Sequence, residues 1–453
     1  MEKEKLSLWE RANQWLRNSI TMRLITIGVL ILLLLIPVSM VRDLIRERED
    51  RQRSAIQEVS EKWGHAQTIN GLVLTVPYYT YDKVFEGNTD SYKMVQSTAY
   101  AHFLPDQLLI EGEVFPEERY RGIYQVIVYR GEVELWGTFA RPDFGEWKIE
   151  EADILWEEAF VSLGLSDLRG LQQNVSVNWD GQEYQFNPGV ETKDVIGNGI
   201  STRVPVRAGG AGAEDELSFS LHLNFNGSSN LNFIPIGKST KVNIRSDWAN
   251  PSFAGAFLPD NREIRKDGFE ASWEVLHLNR PYPQQFRGAM SGITSSAFGV
   301  DLIVPVDEYQ KSMRSAKYAA MFITLTFLIF FFVQILNGIR IHPIQYIMVG
   351  LALCIFYILL IALSEHLAFQ LSYLISSVAI IGMVTLYSHT IARSVRVTSI
   401  IGLILVILYG FIYTILQMQD YALLMGSIGL FIVMAIVMYL SRKIDWFAIN
   451  ESK

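Results

Sequence analysis

A single cysteine, Cys354, stands in the whole chain, so no intrachain disulfide can form. No thiolate pair is available for zinc or for thiol exchange either. Charged residues are scarce, at 19%, and the formal net charge is −8. No basic arm or stripe is present, which excludes the phosphate-neutralising surface that a nucleic-acid binder needs. Gly and Pro, at 32 and 14 residues, are too few for a fibrous or disordered chain. Reaction motifs are missing too: there is no H-E-x-x-H, no phosphate-binding P-loop and no G-x-S-x-G. The Gly-rich stretch from Arg207 to Glu214 lacks the strand–G-x-G-x-x-G–helix setting of a nucleotide site. Around His65, His102, His222 and His277 no His or carboxylate at ligand spacing stands out, and they read as structural. No catalytic residue, metal site or cofactor is expected.

What the chain has in excess is apolar sequence: half of its residues are hydrophobic. The excess is local. The first apolar run, Leu24 to Val41, lies between Arg23 and Arg42 and can cross a hydrocarbon core of about 30 Å. It leads into charged residues with no small-residue cleavage site, so it reads as an anchor retained in the protein. Residues 42–63 are charged, with Glu47/Arg51 and Glu49/Arg53 at i,i+4 spacing, as in a solvated helical stalk. Five further apolar runs occupy residues 318–440, joined by short connections, and most lack a polar face. A compact up-down bundle of five spanning helices is expected there. Residues 1–23 and 441–453 form terminal segments on the cytoplasmic side.

Between the stalk and the bundle, residues 64–317 change texture. Short runs rich in Val, Ile, Tyr, Phe and Thr alternate with Gly, Asn, Pro and Asp, the pattern of a mainly-β domain. Asn226-Gly227 and Gly237-Lys238 read as turns, and Trp156 to Leu163 as a short helix. Phe103-Leu104-Pro105-Asp106 recurs as Phe257-Leu258-Pro259-Asp260. Two related β modules meeting near residues 207–216 would explain the recurrence, and chance similarity between strands is the competing explanation. The fold class is therefore membrane α + β: an N-terminal transmembrane anchor, a large mainly-β extracytoplasmic domain and a C-terminal five-helix bundle.

Orientation follows from the short loops of the bundle. Arg340, Arg393, Arg396, Arg442 and Lys443 lie at one side. The connections Ser364–His366 and Gln417–Asp420 at the other have no Lys or Arg. The positive-inside rule puts the basic side in the cytoplasm, with both termini inside and the β domain outside. The same basic rim would meet anionic lipid headgroups. Glu365, His366 and Asp420 form the candidate polar cluster at the opposite side. Simple solvation at the interface is the plainer account of all three.

Several stretches resemble the CreD family. They include Trp63-Gly64 with Gln67-Thr68-Ile69 and Gly71 to Tyr78, Trp248 to Phe253 with Phe257-Leu258-Pro259, Arg340 to Phe369, and Leu416 to Trp446. The resemblance covers nearly the whole chain in order. It implies a bacterial inner-membrane protein tied to cell-envelope integrity and stress, often under a two-component regulator. It further implies links to envelope-acting toxins and β-lactam response, with no established enzymatic activity. The expected function is non-enzymatic support of the envelope, the β domain binding an envelope component or a membrane protein beside the lipid bilayer. Nucleic acid is not an expected partner, and a homo-oligomer is left open. A transporter or channel-like bundle with an external receptor, and a stress sensor acting through a cytoplasmic partner, are the alternatives.

Overall fold

The computed structural model describes residues 20–85, 92–206, 216–302, 308–418 and 421–442. The Gly-rich stretch, Asp420 and Lys443 lie outside them. The chain divides into two units, with boundaries at Gln52/Arg53 and at Pro305/Val306.

The helical unit begins with α1 (Ile20–Trp63), which runs through the first apolar stretch into the charged one. Pro37 sits inside it. Then follow α2 (Glu308–Lys317), α3 (Ala319–Leu336), α4 (Pro343–Ser364), α5 (Phe369–Ala392), α6 (Val395–Gln417) and α7 (Ala422–Ser441). Among the described residues six helices are long and apolar enough to cross a membrane. Local chemistry sets their ends. Pro343 occupies the first turn of α4, where its missing N–H costs nothing. His342 caps that turn: its Nδ1 accepts from Ile344 N at 3.3 Å, and its own N–H donates to Gln345 Oε1 at 2.8 Å. Helices α3 to α6 bury aromatic side chains against one another. Phe322 and Tyr409 have ring centres 4.7 Å apart, and Phe356 and Tyr409 5.0 Å. Helix α7 differs, with Gly429 its sole buried residue.

The β unit contains seventeen strands among the described residues. In chain order they are β1 (Gln67–Phe85), β2 (Tyr92–Phe103), β3 (Gln107–Arg121), β4 (Tyr124–Ala140), β5 (Phe160–Leu165), β6 (Ser176–Trp179), β7 (Gln182–Gln185), β8 (Asn187–Pro188) and β9 (Gly199–Arg203). The remainder are β10 (Glu216–Ser228), β11 (Asn230–Ile234), β12 (Ser239–Ser246), β13 (Pro251–Gly255), β14 (Asn261–Arg265), β15 (Gly268–Leu276), β16 (Gln285–Arg287) and β17 (Phe298–Leu302). One sheet runs β13-β17-β11-β1-β5-β9-β8, with β2 on β1 and β16 on β2. The other runs β14-β15-β12-β3-β4-β10-β6-β7. The two share one apolar core that holds Leu74, Val161 and Phe233 of the first and Ile110, Leu135 and Trp273 of the second. Central strands read as continuous apolar runs: every residue of β5 is buried. Strands of the second sheet alternate, as β12 does, so one face meets the core and the other solvent.

Two turn and helix expectations are corrected here. Trp156–Glu158 is one 3-10 turn, and Phe160–Leu165 is a strand on β1, because a six-residue run buried on both faces suits a sheet centre. Asn226-Gly227 does not turn. Strand β10 continues to Ser228, and the chain bends at Ser229, with φ of 66°, to pass from the second sheet to the first. Gly227 is needed there because a Cβ would collide with the Tyr129 ring. The recurring Phe-Leu-Pro-Asp does the same job twice. Each copy carries the chain from the first sheet to the second and opens a hairpin. Asp106 N donates to Thr138 O at 2.7 Å, and Asp260 N to Ser272 O at 2.9 Å, at equivalent register positions. Strands from either side of residues 207–216 interleave within both sheets.

Residues 53–63, the last turns of α1, belong to the β unit. Trp63 Nε1 donates to Tyr129 O at 3.2 Å under the Arg119 guanidinium. Ser228 Oγ donates to Ser60 Oγ at 2.8 Å. Gly64, at φ of 145°, ends the helix, and a Cβ there would press on the Asn226 carbonyl. Gln67 and Asp167 then close the corner: Gln67 Nε2 donates to Asp167 O at 2.9 Å, and Asp167 N to Gln67 Oε1 at 3.2 Å.

Candidate functional site

Of the candidate polar cluster, Glu365 is the member with a built environment. It caps α4, its side chain is 11% exposed, and Arg48 of α1 approaches to 3.4 Å. An acid and a base held at the end of an apolar bundle neutralise each other, which such a setting requires. His366 is exposed, and its side chain joins no hydrogen bond or ion pair among the described residues. Asp420 lies outside them. Of the basic rim, Arg340, Arg393, Arg396 and Arg442 are all exposed. Arg393 ends α5 in the left-handed region, and Arg442 lies 5.1 Å from the Tyr439 ring centre. Inside the bundle, Tyr373 OH donates to Tyr409 O at 2.8 Å, and Tyr346 OH to Gln334 Oε1 at 3.0 Å. The hydroxyls of Thr326, Tyr357 and Ser376 are buried without a hydrogen-bond partner among the described residues.

The β unit holds three arrangements that sequence spacing did not reveal. The first is on the solvent face of the second sheet, where register aligns two rows of side chains. One row is His222, Glu134, Glu111, Asn243, Ser272 and Asn261; the other is Asn224, Glu132, Glu113, Arg245, Glu270 and Glu263. Glu111 thus faces Glu134, and Glu113 faces Glu132, although like charges directly across strands are unfavourable. Arg245 relieves Glu113 at 2.7 Å, and His222 approaches Glu134 at 3.6 Å. Glu111 and Glu132 have no ion pair among the described residues. The rows line a depression of about 880 Å³.

The second is a buried relay. His102 Nδ1 lies 3.0 Å from Thr75 Oγ1, and Nε2 lies 3.3 Å from Asp194 Oδ2. A carboxylate only accepts, so Nε2 carries the proton and the Thr75 hydroxyl donates to Nδ1. Burial pushes the His102 imidazolium pKa down, and Asp194 opposes this in part. The residues are 27 and 92 positions apart from His102, so no local spacing could have flagged them. The Thr75 side chain is buried beside β2 and presents no open path to a substrate.

The third is Asp167. Burial pushes its carboxyl up, but hydrogen bonds from the Arg169 side chain and from the His65 and Arg169 backbone N–H groups outweigh this. With the guanidinium charge they hold it at about 2. This fastens the corner that receives α1.

In chain order, a mainly-β unit lies between one apolar helix and five more. The family model described as Inner membrane protein CreD matches residues 19–447. The chain belongs to the CreD family. Inner membrane protein CreD of Escherichia coli (strain K12) is 30% identical over 426 residues, covering 93% of each chain. Family membership spans both units, so the helices and the β unit are parts of one inner-membrane protein.

Proposed function

We propose that this CreD-family chain supports the cell envelope without catalysis, by binding a cationic segment of an envelope component on the glutamate face of its β unit. The observation that carries the reading is the pairing of Glu111 with Glu134 and Glu113 with Glu132 across β3 and β4. Four carboxylates in register raise the free energy of the unbound face, and a cationic partner would relieve it. In this reading the termini are cytoplasmic and the β unit is extracytoplasmic. Support comes from Arg340, Arg393, Arg396 and Arg442 on one set of short connections and from Glu365 and His366 on the other. Arg42, Arg46, Arg48, Arg51 and Arg53, which follow the first span in sequence, do not oppose this, since long translocated segments largely escape the rule.

The test is in-cell photo-cross-linking from position 243, which lies next to Glu111 in the row that also holds Glu134. Capture of a basic envelope protein, weakened by Glu111→Gln with Glu132→Gln, supports the reading. Capture only of further copies of the chain would replace it with a scaffolding role.

The unpartnered hydroxyls of Thr326, Tyr357 and Ser376 favour a second reading, a polar passage through the bundle. Solute flux in proteoliposomes that Tyr357→Phe abolishes would establish it in place of the first.

A further inference from the structure

Cations at the end of the helical unit that carries Glu365 are held in two ways. Glu365 is occupied by Arg48, Asp43 by Arg46 at 3.2 Å, and Glu47 by Arg51 at 2.6 Å. Four more cations there have no carboxylate partner among the described residues: Arg42, Lys311, Arg314 and Lys317. Their contacts are neutral. Arg42 donates from Nε and a terminal nitrogen to Ala316 O, at 3.4 and 3.2 Å. Arg314 donates to Leu416 O at 3.3 Å. Lys311 Nζ lies 5.7 Å from the Phe369 ring centre, and Lys317 is exposed.

Chain order fixes where these groups lie relative to the apolar spans. Arg42 directly follows the run that ends at Val41, and Lys317 precedes α3, which starts at Ala319. The bond from Arg42 to Ala316 brings the two places together. Helix α2 is two-sided: Tyr309, Ser312, Ser315 and Ala316 are buried, Lys311 and Arg314 are half-buried, and Lys317 is exposed. A short helix with a buried face and a Lys/Arg face, leading into a span, suits the headgroup layer of a bilayer.

Helix-end electrostatics account for part of this. Arg314 and Arg42 meet carbonyls at helix C-termini, where a partial charge of about −0.5 favours cations. Each guanidinium also keeps N–H donors that these bonds leave unused.

We infer that Arg42, Lys311, Arg314 and Lys317 form a seat for a phosphate-ester anion carried by a membrane lipid. The phosphate receives the spare N–H and ammonium donors, and the acyl chains lie along the adjoining apolar helices. The seat is at the end opposite the rim of Arg340, Arg393 and Arg396. It depends neither on the orientation of the chain nor on the glutamate face.

The test uses the full-length chain in detergent, with phosphatidylglycerol, phosphatidylcholine or inorganic phosphate added, read by unfolding temperature and by lipid retained in native mass spectrometry. Phosphatidylglycerol should raise the unfolding temperature of the wild type, and phosphatidylcholine should not. Lys311→Gln with Lys317→Gln removes two cations that make no backbone bond, so the lipid-free stability should be unchanged. Its apparent affinity for phosphatidylglycerol should fall by about tenfold to thirtyfold, at about 1 kcal/mol for each cation. A wild-type response in the Lys311/Lys317 variant overturns the seat, as does an equal response to phosphatidylcholine. A shift reproduced by inorganic phosphate alone overturns the lipid as its source.

Discussion

Arg48, on the charged part of α1, stands 3.4 Å from Glu365, the residue that closes α4. The carboxylate is mostly shielded and the guanidinium about one-third exposed, so the pair falls between the surface and buried regimes. Glu365→Ala should cost about 1–3 kcal/mol, more than an exposed pair and less than a buried one. Arg48→Ala should cost a similar amount, and the two losses should overlap in the double variant. His366→Ala, next in sequence but exposed, should be silent. Thermal unfolding of the four proteins in one detergent decides the matter, and strictly additive losses would show that the two residues do not act together.

Asp167 makes the β unit acid-sensitive. Its carboxyl is held at about 2 against an ordinary 3.8. A lowered carboxyl stabilises the fold above the unfolded value, and the contribution is lost as pH falls through the folded one. The window is therefore the interval from about pH 4 down to about pH 2, with about 2 kcal/mol at stake. Asp167→Asn should lower stability at neutral pH and flatten the curve across that window. Parallel curves for variant and wild type would remove Asp167 as the cause.

The layout of spans and β unit was legible in the sequence, and the contacts that hold each unit together were not. Leu24–Val41 and the later runs announce themselves because spanning a bilayer needs a contiguous stretch of apolar residues. Likewise, alternation exposed the strands of the second sheet, as in β10 and β12. Residues Phe160 to Leu163 of strand β5 read as the end of a short helix from Trp156, because a short run buried on both faces carries no period. The His102–Asp194 contact and the facing glutamates depend on register between strands far apart in sequence, which spacing does not encode. Arg48 and Glu365 are separated by most of the chain, so Glu365 could be nominated for its place at a span end but not paired.

His102 gives a second, separate pH response. Burial lowers its pKa, so the folded β unit favours the neutral ring. The contribution is complete above the ordinary histidine range and is lost as pH falls below it. Acidification from about pH 8 to about pH 5 should therefore weaken the β unit before Asp167 begins to titrate. His102→Gln should be less stable at the higher pH and should lose the dependence over this interval. Tryptophan fluorescence during denaturant unfolding at several pH values reads it. An unchanged slope in the variant would assign the dependence to another group.

The glutamate face predicts opposite effects on stability and on binding. Glu111 and Glu132 each oppose another glutamate and have no ion pair among the described residues. Replacing both with Gln keeps their shape and removes two like-charge contacts. Each change should stabilise the β unit by about 0.2–1 kcal/mol. The same variant should capture less cationic partner in cells, because the potential that attracts it has been reduced. A face shaped by folding alone would have no reason to keep a repulsion that two conservative changes remove, whereas a binding face commonly gives up stability for function. Unfolding curves and cross-linking yield must therefore be measured on the same variant. Higher stability with reduced capture supports the binding role. Higher stability with undiminished capture moves the contact elsewhere on the unit, and lower stability would make the glutamates structural.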